Sequence, residues 1–167
     1  DLTEFPSLFA NDPLCENDTL RLETFAVPSA TYEWTGPNGF TSNNQNPVIE
    51  NVTIVNEGIY SMTRTNGSCS VTGLINIVIY TRPSVVIDSQ NDVSCTGLSD
   101  GGVSVIASGG TAPYVYDWSN DSSSANVIGL SAGNYGLVVS DNHHCFSDSL
   151  SVTIGDNSSI PPTADST

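Results

Sequence analysis

The sequence contains no lysine and only three arginines, against 18 aspartates and glutamates. The resulting formal net charge of −15 excludes nucleic-acid binding through phosphates, because almost no side chain can displace counterions. The same shortage argues against docking on anionic membranes. No apolar run reaches the roughly 18 residues that span a bilayer, so we expect no membrane insertion. No signal peptide opens the sequence, so we expect a mature chain or an excised fragment.

Good helix formers are also scarce, with a single methionine and no lysine, whereas valine, isoleucine, threonine and tyrosine are plentiful. The 14 glycines and 9 prolines separate short segments in which apolar and polar residues alternate. Hydrophobic residues make up 38% and charged residues 13% of the chain, which does not fit a disordered acidic segment. The composition predicts an all-β fold of the sandwich or barrel class.

One pattern occurs twice along the 167 residues. Each copy has a cysteine, a tryptophan after an aromatic alternation, a tyrosine two residues after a glycine, and a second cysteine. The first copy supplies Cys15, Trp34, Tyr60 and Cys69, and the second supplies Cys95, Trp118, Tyr135 and Cys145. We therefore predict two tandem Ig-like Greek-key β-sandwich domains, residues 1–83 and 84–156. Residues 157–167 read as a spacer tail, after which we expect further domains.

The repeated aromatic residues are expected to build the core of each sandwich. We interpret Trp34 and Trp118 as core residues between two sheets, the alternative being an exposed platform for stacking sugars. Tyr60 and Tyr135 precede the penultimate strand of a sandwich in the pattern. A tyrosine there commonly bonds its hydroxyl back across the corner, as in the tyrosine corner of Ig-like domains.

Four cysteines allow three disulfide pairings. The repeat favours one bridge in each copy, Cys15–Cys69 and Cys95–Cys145. Each bridge would close a loop of about 50 residues and contribute about 3–4 kcal/mol in the entropic model. The sequence has no CxxC pair, and the spacings do not suit zinc. Disulfides predict an oxidising, extracellular location.

The second copy resembles the SprB-type repeat of large surface adhesins in gliding Bacteroidota. The stretches that carry the resemblance are VSCTG at 93–97, DGGV at 100–103, SGGTAPYVYDW at 108–118, LSAGNY at 130–135 and VVSDNHHC at 138–145. His144 departs from the pattern, because the family usually has glycine before the second cysteine. A left-handed turn at this position would be less comfortable for histidine than for glycine.

The first copy is similar to the Ig-like or PKD-like modules that accompany such repeats, on the strength of YEWTGPNGF at 32–40, GIY at 58–60 and NGSC at 66–69. The resemblance implies a cell-surface adhesin built as a tandem array, exported by type IX secretion and moved by the gliding machinery. It also implies O-glycosylation, because three short motifs resemble the acceptor pattern of this phylum. Their acceptor residues are Thr19, Ser149 and Ser166.

The search for other chemistry yields one metal hypothesis. Calcium takes oxygen ligands from acidic loops, and Asp88, Asp92 and Asp100 form the candidate set; no other cofactor is expected. The alternative is a solvated acidic surface. His143 and His144 are interpreted as exposed turn residues. No GxSxG, HExxH or GxxxxGK motif occurs, so we predict that the chain is not an enzyme.

The leading hypothesis is a structural one. The chain would be a fragment of a filamentous adhesin whose rigid modules contact neighbouring modules, while other regions contact a surface or polysaccharide. The like-signed charge of both copies would keep modules apart. The alternative is a carbohydrate-binding or spacer module of a secreted hydrolase, which would need exposed aromatic residues, with Phe40, Tyr80 and Phe146 as candidates.

Overall fold

The structure, a computed structural model, describes residues 5–156, so the predicted spacer tail lies outside the described residues. Apart from two 3₁₀ turns, every regular element in this range is a β-strand, which confirms the all-β prediction. None of the described residues forms a helix long and apolar enough to cross a bilayer. Contacts between residues divide the chain into two compact units, residues 1–81 and 82–167. The tandem arrangement of two domains stays a prediction.

Unit 1 (residues 1–81) contains two antiparallel sheets. Its strands are β1 (Leu8–Ala10), β2 (Leu20–Thr24), β3 (Thr31–Thr35), β4 (Thr41–Ser42), β5 (Val48–Ile49), β6 (Gly58–Asn66) and β7 (Cys69–Ile77). One sheet has the order β1-β2-β5 and the other β4-β3-β6-β7. The 3₁₀ turns, Pro37–Gly39 and Ile54–Asn56, lie in the connections after β3 and β5.

Unit 2 (residues 82–167) repeats the scheme with six strands among its described residues. They are β8 (Pro83–Asn91), β9 (Gly101–Gly109), β10 (Val115–Trp118), β11 (Asn126–Leu130), β12 (Gly133–Ser140) and β13 (Leu150–Ile154). The sheets have the orders β11-β9-β8 and β10-β12-β13, and all pairs are antiparallel. As in unit 1, the chain changes sheet between the strand before the tryptophan and the strand that carries it.

Each unit has its own hydrophobic core, and strict alternation along the strands places residues in it. In β2, for example, Leu20 and Leu22 are buried while Arg21 and Glu23 are exposed. The core of unit 1 consists of Leu14, Leu20, Leu22, Trp34, Val52, Tyr60, Met62, Ile77 and Ile79. The core of unit 2 consists of Val93, Val103, Val105, Trp118, Val127, Leu130, Leu137, Val139, Val152 and Ile154. This burial is the main source of stability for units of this size.

Gly36 illustrates how tightly unit 1 is packed around its tyrosine. A Cβ atom at this position would overlap the ring of Tyr60. Only glycine lets the chain pass this close to the ring before it turns at Pro37.

Candidate functional site

The structure places both tryptophans in the cores, on equivalent strands of the two units. Trp34 on β3 and Trp118 on β10 are almost completely buried. Each indole N–H donates to a backbone carbonyl, at 3.2 Å to Gln45 and at 2.9 Å to Ser124. Neither ring is available to stack on a sugar, so the alternative of an exposed tryptophan platform is wrong.

Both repeat tyrosines bond back to the carbonyl four residues upstream. The Tyr60 hydroxyl donates to the Asn56 carbonyl at 2.9 Å, and the Tyr135 hydroxyl donates to the Ser131 carbonyl at 3.0 Å. Tyr60 is fully buried, and desolvation raises the pKa of its phenol. Tyr135 is half-buried and packs against the core of unit 2. These are the tyrosine corners that the sequence predicts.

The predicted disulfides are wrong. Cys15 and Cys145 are the disulfide-bonded cysteines, whereas Cys69 and Cys95 are exposed free thiols. Neither Cys15–Cys69 nor Cys95–Cys145 is therefore formed. At equivalent positions of the repeat, one cysteine is disulfide-bonded and the other is a free thiol.

The geometry of each unit explains why the predicted pairs fail. Cys69 begins β7, whereas Cys15 pairs with Tyr80, beyond the other end of that strand. A nine-residue strand separates its ends by about 27 Å, far beyond the roughly 7 Å limit between the Cα atoms of a disulfide. In unit 2, Cys95 precedes the start of β9, while Cys145 belongs to the turn that lies beside the end of β9.

That turn is organised by Asp141, a buried carboxylate that follows β12. One of its oxygens accepts the backbone N–H of Thr111 at 2.8 Å. The other accepts the N–H groups of His143 and Cys145, both at 2.9 Å. The backbone N–H of Asn142 also donates to the Thr111 carbonyl at 2.8 Å. One side chain thus joins the β12–β13 connection to the connection after β9.

The charge of Asp141 suits this role. Burial alone would raise the pKa of its carboxyl, but the N–H donors of Thr111, Cys145 and His143, with the nearby His143 charge, outweigh burial and lower it. The ionised form is therefore the one that the fold stabilises. The sequence alone does not predict this role for Asp141. The Asp-x-x-x-Cys spacing after a strand is the signal that could have identified it.

His144 has φ = 60°, in the left-handed region, which is less comfortable for histidine than for glycine. Its backbone N–H closes the turn by donating to the Asp141 carbonyl at 3.0 Å. His144 is exposed, and His143 is half-buried. The interpretation as an exposed turn residue is therefore confirmed for His144. His143 lies in the same turn but is only partly exposed.

The structure does not bring the calcium candidates together. Among residues 5–156, no three histidine, cysteine, aspartate or glutamate side chains form a group able to hold a metal ion. The Asp100 carboxylate binds the hydroxyl and N–H of Ser94, at 2.5 and 3.0 Å, and these bonds lower its pKa. Asp92 accepts the Gly155 N–H at 2.7 Å, and Asp88 is exposed on β8. These three carboxylates therefore do not form a site together.

The remaining candidates are scattered. Ser149 is exposed, Thr19 is half-buried, and Ser166 lies outside the described residues, so O-glycosylation stays a prediction. Of the aromatic candidates for sugar stacking, Phe40 packs edge-on against Tyr60 and Tyr80 is half-buried. Only Phe146 is largely exposed. These three rings do not form a binding platform within either unit.

In each unit a segment near the start runs in parallel beside the last described segment, a pairing that the sequence does not predict. We call this the terminal pairing. In unit 1 the Tyr80 N–H donates to Leu14 and the Glu16 N–H donates to Tyr80, both at 2.9 Å. In unit 2 the Val93 N–H donates to the Gly155 carbonyl at 3.1 Å, beside the Val93–Asp156 bridge.

Side chains extend the terminal pairing of unit 2. Asp92 accepts the Gly155 N–H at 2.7 Å, and the Gln90 side-chain amide donates to the Thr153 carbonyl at 2.6 Å. Residues 90–93 are thus bonded to residues 153–156 across three separate contacts. No short-range sequence pattern reveals a pairing over more than 60 residues.

Residues 87–123 match the SprB repeat family, which confirms the resemblance within the second copy. Among solved structures, the chain is similar to the N-terminal eight Ig domains of Down Syndrome Cell Adhesion Molecule (DSCAM), with a TM-score of 0.65 and 13% identity over 92% of this chain and 24% of that one. It is also similar to a C-terminal fragment of intimin in complex with the intimin-binding domain of its translocated receptor. That match has a TM-score of 0.51 and 14% identity, over 93% of this chain and 65% of the fragment.

These two structures show an Ig-like fold and nothing more, because identities of this size do not carry function. The chain spans about a quarter of the length of the DSCAM fragment that it matches. No curated protein matches the sequence.

Proposed function

We propose that the chain is part of a filamentous cell-surface adhesin whose rigid Ig-like modules serve attachment and gliding motility. The observation that carries the proposal is the SprB repeat at residues 87–123, the repeat type of such adhesins. The disulfide-bonded Cys15 and Cys145 support an oxidising, extracellular location. Export by type IX secretion and coupling to the gliding machinery belong to the same proposal. We propose no catalytic role.

The terminal pairing supports a load-bearing role for unit 2. The chain enters at Pro83, which pairs with Gly109 at one end of β9, and leaves at Asp156, beside Val93 at the other end. Tension between these points runs along the strands. Because residues 90–93 run parallel to residues 153–156, such tension would load the hydrogen bonds between these two segments together rather than one after another.

Charge supports the filamentous arrangement. Residues 84–167 carry nine acids and no lysine or arginine, and residues 1–83 carry nine acids and three arginines. Modules of like sign repel one another at short range. An array of such modules would remain extended and soluble outside the cell, with contacts mainly between neighbouring modules.

The surface location is tested with antibodies raised against the chain and applied to intact cells of the producing organism. We expect labelling that protease treatment of intact cells removes, while a cytoplasmic control protein stays intact. Deletion of residues 82–156 from the gene should reduce attachment and gliding. Labelling only after permeabilisation would contradict the proposal.

The load-bearing role is tested by pulling the chain from its two ends in a force microscope. Asp92→Ala removes one contact of the terminal pairing and should lower the unfolding force of unit 2. Asp88→Ala is the matched control, because Asp88 is exposed on β8, four residues before Asp92, and takes no part in the terminal pairing. Equal forces for the two variants would show that the terminal pairing does not bear load.

A further inference from the structure

The outward face of the sheet β11-β9-β8 carries a groove of about 350 Å³. This volume falls within the range of about 300–1,000 Å³ that is usual for small-molecule sites. The side chains around it belong to Ser89, Asn91, Ser104, Asn126 and Ile128, and Gly102 lies at its floor.

The register of the three strands creates the groove. One row across the sheet is Asn126–Ser104–Ser89, and the next is Ile128–Gly102–Asn91. Val103 and Val127, which alternate with these residues, point into the core, so both rows face outward. Because Gly102 has no side chain, a hollow remains between Ile128 and Asn91.

The polar groups of the groove are free to bind a ligand. Within residues 5–156, the side chains of Ser89, Asn91, Ser104 and Asn126 make no hydrogen bond to protein. Ser89 and Ser104 are direct cross-strand partners and still do not bond to each other.

Three other pairs of cross-strand hydroxyls do bond to each other. On the same two strands, the Ser84 and Ser108 hydroxyls bond at 3.0 Å. On the outer face of unit 1, Thr63 bonds to Thr72, and Thr65 bonds to Ser70, both at 2.9 Å. The cross-strand pair Ser89 and Ser104 thus differs from these three bonded pairs.

The groove also offers apolar surface but no charge. Ile128 is 81% exposed, and the cross-strand partners Val86 and Ile106 are 58% and 52% exposed farther along the same face. No acidic or basic side chain lines the groove. The chemistry therefore suits a neutral molecule with many hydroxyls and an apolar C–H face.

We propose that the groove binds sugar units of a neutral polysaccharide, which rests on the proposed location of the chain at the cell surface. The carboxamides of Asn91 and Asn126 each offer donors and an acceptor to vicinal hydroxyls. The hydroxyls of Ser89 and Ser104 complete the set, and Ile128 packs against the C–H face. A peptide is disfavoured, because peptides commonly add to strand edges, whereas this groove lies on the face of the sheet.

Binding by a single shallow groove is expected to be weak. In an array, several modules would engage one polymer chain, and their combined avidity would exceed the affinity of each. The groove would then give a repeated module an adhesive role in addition to a mechanical one.

The test is an NMR titration of the ¹⁵N-labelled full chain with neutral β-glucan, mannan and galactan oligosaccharides of four to six units, up to about 20 mM. We expect at least one to shift the amide signals of residues 89–91, 102–104 and 126–128. Ile128→Ala and Asn126→Ala should each weaken binding about tenfold. Ser108→Ala is the matched control, because it lies on the same face of β9 outside the groove, and it should bind as the unmodified chain does.

Three outcomes would overturn the groove assignment: no shift with any of the oligosaccharides, shifts confined to other regions, or equal weakening by Ser108→Ala. A response only to an anionic polysaccharide or a peptide would also overturn it. Surface labelling of cells that express the Ile128→Ala variant separates the two proposals. Normal labelling without sugar binding by the unmodified chain would leave the adhesin proposal standing and remove the groove.

Discussion

Both units have a terminal pairing, in which a segment near the start runs parallel to the last described segment, but different groups form its hydrogen bonds. In unit 1 two hydrogen bonds between backbone groups join Tyr80 to the segment Leu14 to Glu16. In unit 2 one bond links backbone groups, and the side chains of Asp92 and Gln90 supply two more. Hydrogen bonds between backbone groups do not depend on which side chains are present. The contacts of Asp92 and Gln90 in unit 2 require these particular residues.

The turns that contain the disulfide-bonded cysteines also use side-chain carboxylates as acceptors of backbone N–H groups. The Asp18 carboxylate accepts the Cys15 N–H at 2.9 Å in unit 1. The Asp141 carboxylate accepts three N–H groups in unit 2, including that of Cys145. In the turn of unit 2, a single carboxylate thus holds three backbone N–H groups.

The cysteines give the largest expected contrast within each unit. Cys15→Ser removes a disulfide and should lower the free energy of unfolding by about 2–5 kcal/mol. Cys69→Ser replaces an exposed thiol and should change it by less than about 0.5 kcal/mol. Urea denaturation of the full chain measures both.

Peptide mapping provides the control for this contrast. Under non-reducing conditions, an alkylating reagent should label Cys69 and Cys95 at once, and Cys15 and Cys145 only after reduction. Labelling of all four thiols without reductant would contradict the structure.

Asp141 and Asp18 provide the next contrast. Asp141→Ala leaves three backbone N–H groups without their acceptor, one of them in the fully buried Cys145. We expect a loss of about 3 kcal/mol from unit 2. Asp18→Ala should cost unit 1 less. Each unit has one tryptophan, so fluorescence in a Trp34→Phe background reports on unit 2, and in a Trp118→Phe background on unit 1. A larger loss for Asp18→Ala would reverse the comparison.

The charge of Asp141 predicts a difference in acid stability. Its pKa is lowered in the folded state, so its contribution is fully present above the unfolded value of about 3.9 and is lost as the pH falls through the folded value. The melting temperature of unit 2 should therefore fall more steeply below about pH 4 than that of an Asp141→Asn variant. Parallel curves for the two proteins would show that this carboxylate does not control acid stability.

The tyrosine corners should differ because Tyr60 is fully buried and Tyr135 is not. Tyr60→Phe leaves the Asn56 carbonyl without its donor in a closed environment and should cost about 1–2 kcal/mol. In Tyr135→Phe, water can replace the hydroxyl at Ser131, so we expect a cost below about 1 kcal/mol. Denaturation followed by the tryptophan of each unit measures both, and equal costs would contradict the difference in burial.

The features that the sequence alone predicts are those that depend on a local pattern of residues. The all-β fold follows from alternation, and the positions of Trp34, Trp118 and the two tyrosine corners follow from the repeat. The disulfides fail because the repeat says which cysteines are equivalent but not at which end of a strand each one lies. The terminal pairing, the Asp141 contacts and the groove at Gly102 each need the register of distant segments. A local pattern such as DGGV marks the position of Gly102 but does not reveal what lies across the sheet from it.

The smallest predicted effect is a gain in stability at the left-handed positions. At φ = 60° the Cβ of His144 is sterically crowded by the backbone. Because glycine has no Cβ, His144→Gly should stabilise unit 2 by about 0.5–1 kcal/mol. His144→Ala keeps the Cβ and should give no gain, which separates relief of backbone strain from loss of the exposed imidazole. Asn51→Gly is the counterpart in unit 1, at φ = 52°. Because asparagine tolerates this region better than most residues, the change there should be only a few tenths of a kcal/mol. A gain at Asn51 that equals the gain at His144 would mean that the histidine is under no special strain, and that the two units accommodate left-handed turns equally well.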